Sequence, residues 1–436
     1  MKTRTLVVVL ALVAAALVAN VVQATPGAYP DDGPGHAEDA YEPIPAAWQR
    51  TFGEFQSAPC VRGRAGDFPC ENVHLDAYMP MDAIGGGRGS DVWGWTDPQT
   101  GRRYVIAGRD NGTAFVDITN SRAPVYLGNL PTSGSQVVIW RDIKVYKDHA
   151  FIVSEARDHG MQVFDLRQLR GLDRRTTPVT FTETALYTEF GRTHNIGLNE
   201  ETGFAYAVGN REDKRSCRSG LHMIDVRDPA NPTFAGCVGE DGYVHDTHCE
   251  VYDGPDPDYI GREICFNSNE DTLTIVDVTD KQNPIQISRT AYENASYTHQ
   301  GWLTEDGSYF LLGDELDESS HGVNTRTYIW DVRDLDDLPE PRFHEGPTTS
   351  IDHNLYIKGD RVYQSNYREG FRIRGLENVA NGELTELGYF DVWPADDLTE
   401  FSHGTWSNYP FFDNGVVAVH GYDGLFLLRP TGRARG

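Results

Sequence analysis

The sequence predicts an all-β fold, a seven-bladed β-propeller of four-stranded antiparallel blades. Three observations carry that prediction. First, a phrase in which a polar residue opens a hydrophobic strand occurs seven times: Asp91 in SDVWGW, Asp142 in RDIKVY, His194 in THNIGL, His248 in THCEVY, His299 in THQGWL, His353 in DHNLYI and His403 in SHGTWS. The intervals are 51, 52, 54, 51, 54 and 50 residues, and a fixed period of this length marks a repeat architecture. Second, each unit divides into four β-rich runs separated by turn residues, as in VWGW, RRYVIAG, TAFVDIT and VYLGNL. A sheet of this size cannot bury both faces alone, so neighbouring units must stack. Third, the last unit ends at LFLLRP without a fourth strand, while NVHLDAYMP stands as an orphan strand before the first unit. Pairing the two closes the ring.

Taken in order, residues 1–24 read as a signal peptide: Lys2 and Arg4, a long apolar run, then Val22-Gln23-Ala24 as a cleavage site. Residues 25–70 read as an extended lead-in, rich in Pro, Gly and acids, with a disulfide loop, and AAWQRTFGEF as a short helix within it. Residues 71–430 form the propeller and 431–436 a C-terminal tail. The net charge of -27 disfavours nucleic acid and anionic lipid as partners, and losing Lys2 and Arg4 makes the mature chain more acidic still.

Six cysteines in an exported chain imply three disulfides. Cys60 and Cys70 enclose a loop, Cys249 and Cys265 lie on adjacent antiparallel strands, and Cys217 and Cys237 remain. That connectivity is one of fifteen.

The third-strand phrases FVDIT, MIDVRDP, LTIVDVTD and IWDVRD resemble the LVIVD repeat of bacterial surface propellers. With FPC, HNIGLNEETGFAYAVGN, YTHQGWLTEDG and SIDHNLYIKG, the span from Cys60 to Pro430 resembles the choice-of-anchor B family. The resemblance implies an exported propeller, secreted or cell-surface associated, and implies no activity. The terminal PTGRARG carries no sorting motif or apolar tail.

In a propeller the starts of the first strands and the ends of the second strands share one mouth. The expected mouth residues are therefore His194, His248, His299, His353 and His403, with Asp91, Asp142, Glu155 and Glu315. Imidazole with carboxylate suits a divalent ion such as zinc, copper, iron or manganese. Repeats arise by duplication, so the alternative is that these side chains bond structurally within their blades. His245, in HDTH, would place a second imidazole near the mouth. The recurring Asp117, Asp165, Asp225, Asp277 and Asp331 read as turn-bonding residues. Calcium is suggested only by DGPDPDY at 253–259 and by the acidic run DELDE at 314–318.

No GxSxG, P-loop, HExxH or strand-to-helix GxGxxG occurs, which disfavours serine hydrolases, nucleotide-binding enzymes and zincins. The expectation is a monomeric secreted binding or scaffold module for an extracellular protein or glycan, with a divalent-metal site in the channel mouth. The alternative is a metal-dependent hydrolase or oxidoreductase using that mouth.

Overall fold

A computed structural model describes residues 57–436. The leader and the short helix expected from the sequence lie outside the described residues.

Seven sheets follow one another along the chain, each built on four antiparallel strands, and Val179–Thr180 adds a fifth strand parallel to Val125–Pro131. Their innermost strands are Gly89–Thr96, Arg141–Tyr146, Asn195–Asn199, Asp246–Val251, Thr298–Leu303, Asn354–Lys358 and Ser407–Tyr409, which number blades 1 to 7. Val73–Pro80 pairs antiparallel with Gly424–Pro430, placing Val73 opposite Pro430 and Tyr78 opposite Phe426, and so supplies the fourth strand of blade 7. Closure by the N-terminal strand is therefore as the sequence predicts.

Closure is also visible in the core. Blade strands are buried on both faces, so alternate side chains serve different neighbours. In Tyr309–Asp314, Phe310 and Leu312 pack with Ile264, Phe266 and Ile275 of blade 4, while Leu311 packs with Leu355 and Val362 of blade 6. An apolar cluster fills each successive interface around the ring, including Val92, Val105 and Ala107 of blade 1 against Ala418, Leu425 and Leu427 of blade 7. Stacked rings cross two of these interfaces, Phe115–Phe164 at 4.5 Å and Phe266–Phe310 at 5.1 Å.

The three disulfides join Cys60–Cys70, Cys217–Cys237 and Cys249–Cys265, the pairing set out above. Cys249 and Cys265 stand directly opposite in neighbouring strands. The loop closed by Cys60–Cys70 does more than lead in. Its Phe68–Glu71 pairs with Thr385–Phe390, and Arg64–Ala65 pairs with Phe68–Glu71, so blade 6 is extended to six strands. Phe68 and Cys70 are buried in that edge, which explains why this segment is ordered as part of the propeller.

The third-strand aspartates behave as turn residues. Each accepts the amide two residues on: Asp117 from Thr119, Asp165 from Arg167, Asp225 from Arg227, Asp277 from Thr279 and Asp331 from Arg333. An arginine guanidinium pairs with each of the five.

Asp97 follows the first strand of blade 1 and is held by Arg170 at 2.6 and 2.9 Å, by Thr100 Oγ1 at 2.6 Å and by the Gln99 amide at 2.9 Å. Burial opposes its charge, but Arg170 and the other donors prevail and hold the carboxyl down to about 2. A depressed folded value means that the pair's contribution is present above the unfolded value and lost as pH falls through about 2. Asp97→Asn should therefore lower stability at pH 7 by on the order of 1–2 kcal/mol and flatten the acid limb between about pH 4 and 2, measured by denaturant melts across that range.

Candidate functional site

Residues beside the starts of the inner strands of blades 3 to 6 meet at one end of the channel. Four such residues form a continuous arc of imidazoles: His194, His245, His299 and His353. Adjacent ring centroids are 4.3 Å apart for His194–His245, 4.2 Å for His245–His299 and 4.5 Å for His299–His353. His245, His299 and His353 are buried, while His194 is partly accessible.

Backbone carbonyls set the orientation of two rings. His245 Nδ1 donates to His299 O at 2.8 Å, and His353 Nδ1 donates to Trp406 O at 2.5 Å. A neutral ring donating from Nδ1 carries its lone pair on Nε2. This is how imidazole ligands of metal sites are commonly oriented.

Carboxylates complete the arc. Glu315 lies against two of the rings, 3.4 Å from His299 Nε2 through Oε2 and 3.4 Å from His353 Nε2 through Oε1. Tyr367 OH donates to the same Oε1 at 2.9 Å. Burial pushes the Glu315 carboxyl up to about 8. At the other end, Glu155 Oε1 is 2.5 Å from His194 Nδ1. Burial disfavours charge on His194, but Glu155 outweighs it and the imidazole is raised above its usual value. One ligand atom each from His245, His299 and Glu315 lie within 4.8 Å of one another, close enough to surround a single ion.

Of the nine site residues expected from the sequence, His194, His299, His353, Glu155 and Glu315 meet here. The other four stand elsewhere. Asp91 and Asp142 are interblade pins deeper in the channel: Asp91 Oδ2 accepts from Ile143 N at 3.0 Å and Asp142 Oδ2 from Ile196 N at 2.7 Å. Gln300 does the same for Leu355 N at 2.8 Å. Asp142 also pairs with Lys144 at 2.7 Å. Burial and the Asp142 charge drive the Asp91 carboxyl well above its usual value. Burial opposes charge on Asp142, but Lys144 outweighs it and lowers the carboxyl.

His248 lies three residues into blade 4, on the far side of that polar layer. Its ring sits 4.2 Å from Trp302, and its Nε2 is 3.2 Å from Glu250. It lines a channel cavity of about 430 Å³ whose lining includes Trp93, Trp302, Tyr356, Tyr409 and Phe411. His403 stacks face to face on Trp393 at 3.9 Å with Nδ1 3.2 Å from Asp423, away from the arc.

His245 takes the position expected for His248, because blade 4 begins its ladder at Asp246, opposite Ser268. The TH dipeptide shared with neighbouring units suggested the wrong register. The spacings of 51 from His194 and 54 to His299 fit His245 within the same period.

The fold and this mouth define the class: a disulfide-stapled, seven-bladed β-propeller with a histidine-lined channel entrance. No protein-family profile matches the chain, and no curated protein matches it. Among solved structures it is similar to the β-propeller domain of Myceliophteria thermophila Cps50 (Swd1), with TM-score 0.48 and 13% identity, covering 80% of this chain and 99% of that one.

Proposed function

We propose that the protein is an exported binding module that holds a divalent transition-metal ion in the His245/His299/His353 arc, with Glu315 as the carboxylate ligand and His194–Glu155 at its flank. The convergence of His245, His299 and Glu315 carries this reading. Nitrogen-rich sets with one carboxylate favour zinc, copper, iron or manganese over calcium. A bound cation would also keep Glu315 ionised despite its burial. The three disulfides support an oxidising compartment, and the LVIVD-like phrases support membership of the choice-of-anchor B family.

A catalytic reading of the same site is favoured by one observation: His194, partly accessible at the flank of the arc and raised above its usual value by Glu155, is placed to exchange a proton there. Elemental analysis of tag-free protein purified without chelator tests the common premise. About one equivalent of a transition metal per chain is expected, retained through gel filtration. Protein that holds none after incubation with zinc, copper(II), iron(II) or manganese(II) would refute both readings.

A further inference from the structure

A second cluster lies next to the arc and has a different chemistry. After Asp314 the chain turns through Glu315 into the short helix Asp317–His321, which carries Asp317 and Glu318. Asp352, the residue before His353, faces them from the approach to blade 6. These three carboxylates are 0%, 2% and 3% exposed, and one oxygen from each lies within 4.8 Å of the others.

Their hydrogen bonds leave the cluster open. Tyr328 OH donates to Asp317 Oδ2 at 2.9 Å, and the Asp352 amide donates to Glu318 Oε1 at 3.1 Å. Asp317 Oδ1, Glu318 Oε2 and both oxygens of Asp352 accept no hydrogen bond of normal geometry. The Asp314 amide lies near Asp352 and partly offsets its burial. Gly313 is packed so closely that a Cβ there would come within 1.8 Å of Asp352 Oδ2, so Asp352 has no room to turn away on that side. Arg326 bears on Asp317 electrostatically but pairs directly with the more exposed Glu345, at 3.1 Å.

Three buried carboxylates with four unsatisfied oxygens are costly without a counter-charge, because an unpaired buried anion loses its hydration with nothing in exchange. A divalent cation would supply the counter-charge and coordinate the open oxygens. Oxygens on opposite sides of an ion with bonds of about 2.4 Å are about 4.8 Å apart, and the three ligand oxygens all lie within 4.8 Å of one another, close enough to share one ion.

We infer that Asp317, Glu318 and Asp352 form a buried site for one hard divalent cation of the calcium type, separate from the histidine arc. An all-carboxylate oxygen set selects calcium over the softer ions that imidazole prefers. Calcium also accepts irregular geometry and can complete its shell with water. The ion would tie the turn carrying Glu315 to the segment carrying His353, and so hold two members of the arc in register. The inference does not depend on metal binding by the imidazoles.

The test uses the full mature chain, stripped with EGTA and titrated with calcium chloride by calorimetry, alongside thermal melts. Saturable binding of one calcium per chain is expected, with a melting temperature that rises with calcium concentration. His245→Ala should keep both effects, whereas Asp352→Asn and Glu318→Gln should each weaken calcium binding at least tenfold. If Asp352→Asn fails to fold, Glu318→Gln and the parent titration still decide. Absence of saturable calcium binding to the parent chain overturns the inference, as does undiminished binding in folded Glu318→Gln. Binding of magnesium but not calcium overturns the calcium assignment.

Discussion

A mature chain shortened to begin at Met81 should fail to fold cooperatively. Such a chain lacks Val73–Pro80, the outermost strand of blade 7. The loss exposes a ladder edge along Gly424–Pro430 and uncovers Leu425, Leu427 and Leu428, all fully buried in the intact ring. Exposed strand edges pair with other chains, so the shortened protein should also aggregate. Ala77 and Met79 pack in the interface of blades 7 and 1, whereas Leu75 and Tyr78 pack between blades 6 and 7. Two interfaces therefore fail together. Far-UV circular dichroism and a denaturant melt check the result: a broad, noncooperative transition is expected, and a parent-like cooperative one would contradict closure by this strand.

Glu263→Ala should destabilise the protein by about 3–5 kcal/mol, the usual cost of leaving one partner of a buried ion pair alone. Glu263 Oε2 accepts from Lys281 Nζ at 2.6 Å, and both side chains are buried. Its other oxygen accepts from Asn199 at 2.8 Å, Thr202 at 2.7 Å and the Tyr206 hydroxyl, all from blade 3. Glu263 thus fastens blade 4 to blade 3. The Lys281 ammonium, 4.2 Å from the Phe204 ring, would be left with the Val278 carbonyl as its hydrogen-bond acceptor. Adding Lys281→Met should recover part of the loss, because it removes the stranded charge. Urea melts of the single and double variants provide the measurement, and a loss below about 1 kcal/mol would show that the pair does not fasten the blades.

The ring was legible in the sequence because its constraints are periodic. The opening phrase, the turn-bonding aspartates from Asp117 to Asp331 and the orphan strand at 73–80 all report one repeated unit, and local chemistry produces each. The site was legible only in part. A residue's place in the mouth depends on whether it stands before the first ladder pair or within the strand, and a slip of a few residues moves it to another layer of the channel. That slip separates His245 from His248. Bulges compound it: the register of blade 5 shifts between Thr298 and Gly301, next to His299. His403 left the arc for a different reason, since Trp393 and Asp423 offer it a stacking face and a carboxylate, and its backbone adopts φ 68. The carboxylate triad draws on the acidic run already visible at 314–318, but Asp352 joins it only through the packing of blade 6 against blade 5.

A zinc titration of metal-stripped, tag-free protein, compared across four folded variants, tests the histidine site most directly. His245→Ala and His299→Ala should each weaken binding at least tenfold relative to the parent, which should take up one equivalent. His248→Ala and His403→Ala should match the parent, although both share the sequence phrase. Equal losses in all four variants, or none in His245→Ala, would contradict the site described here.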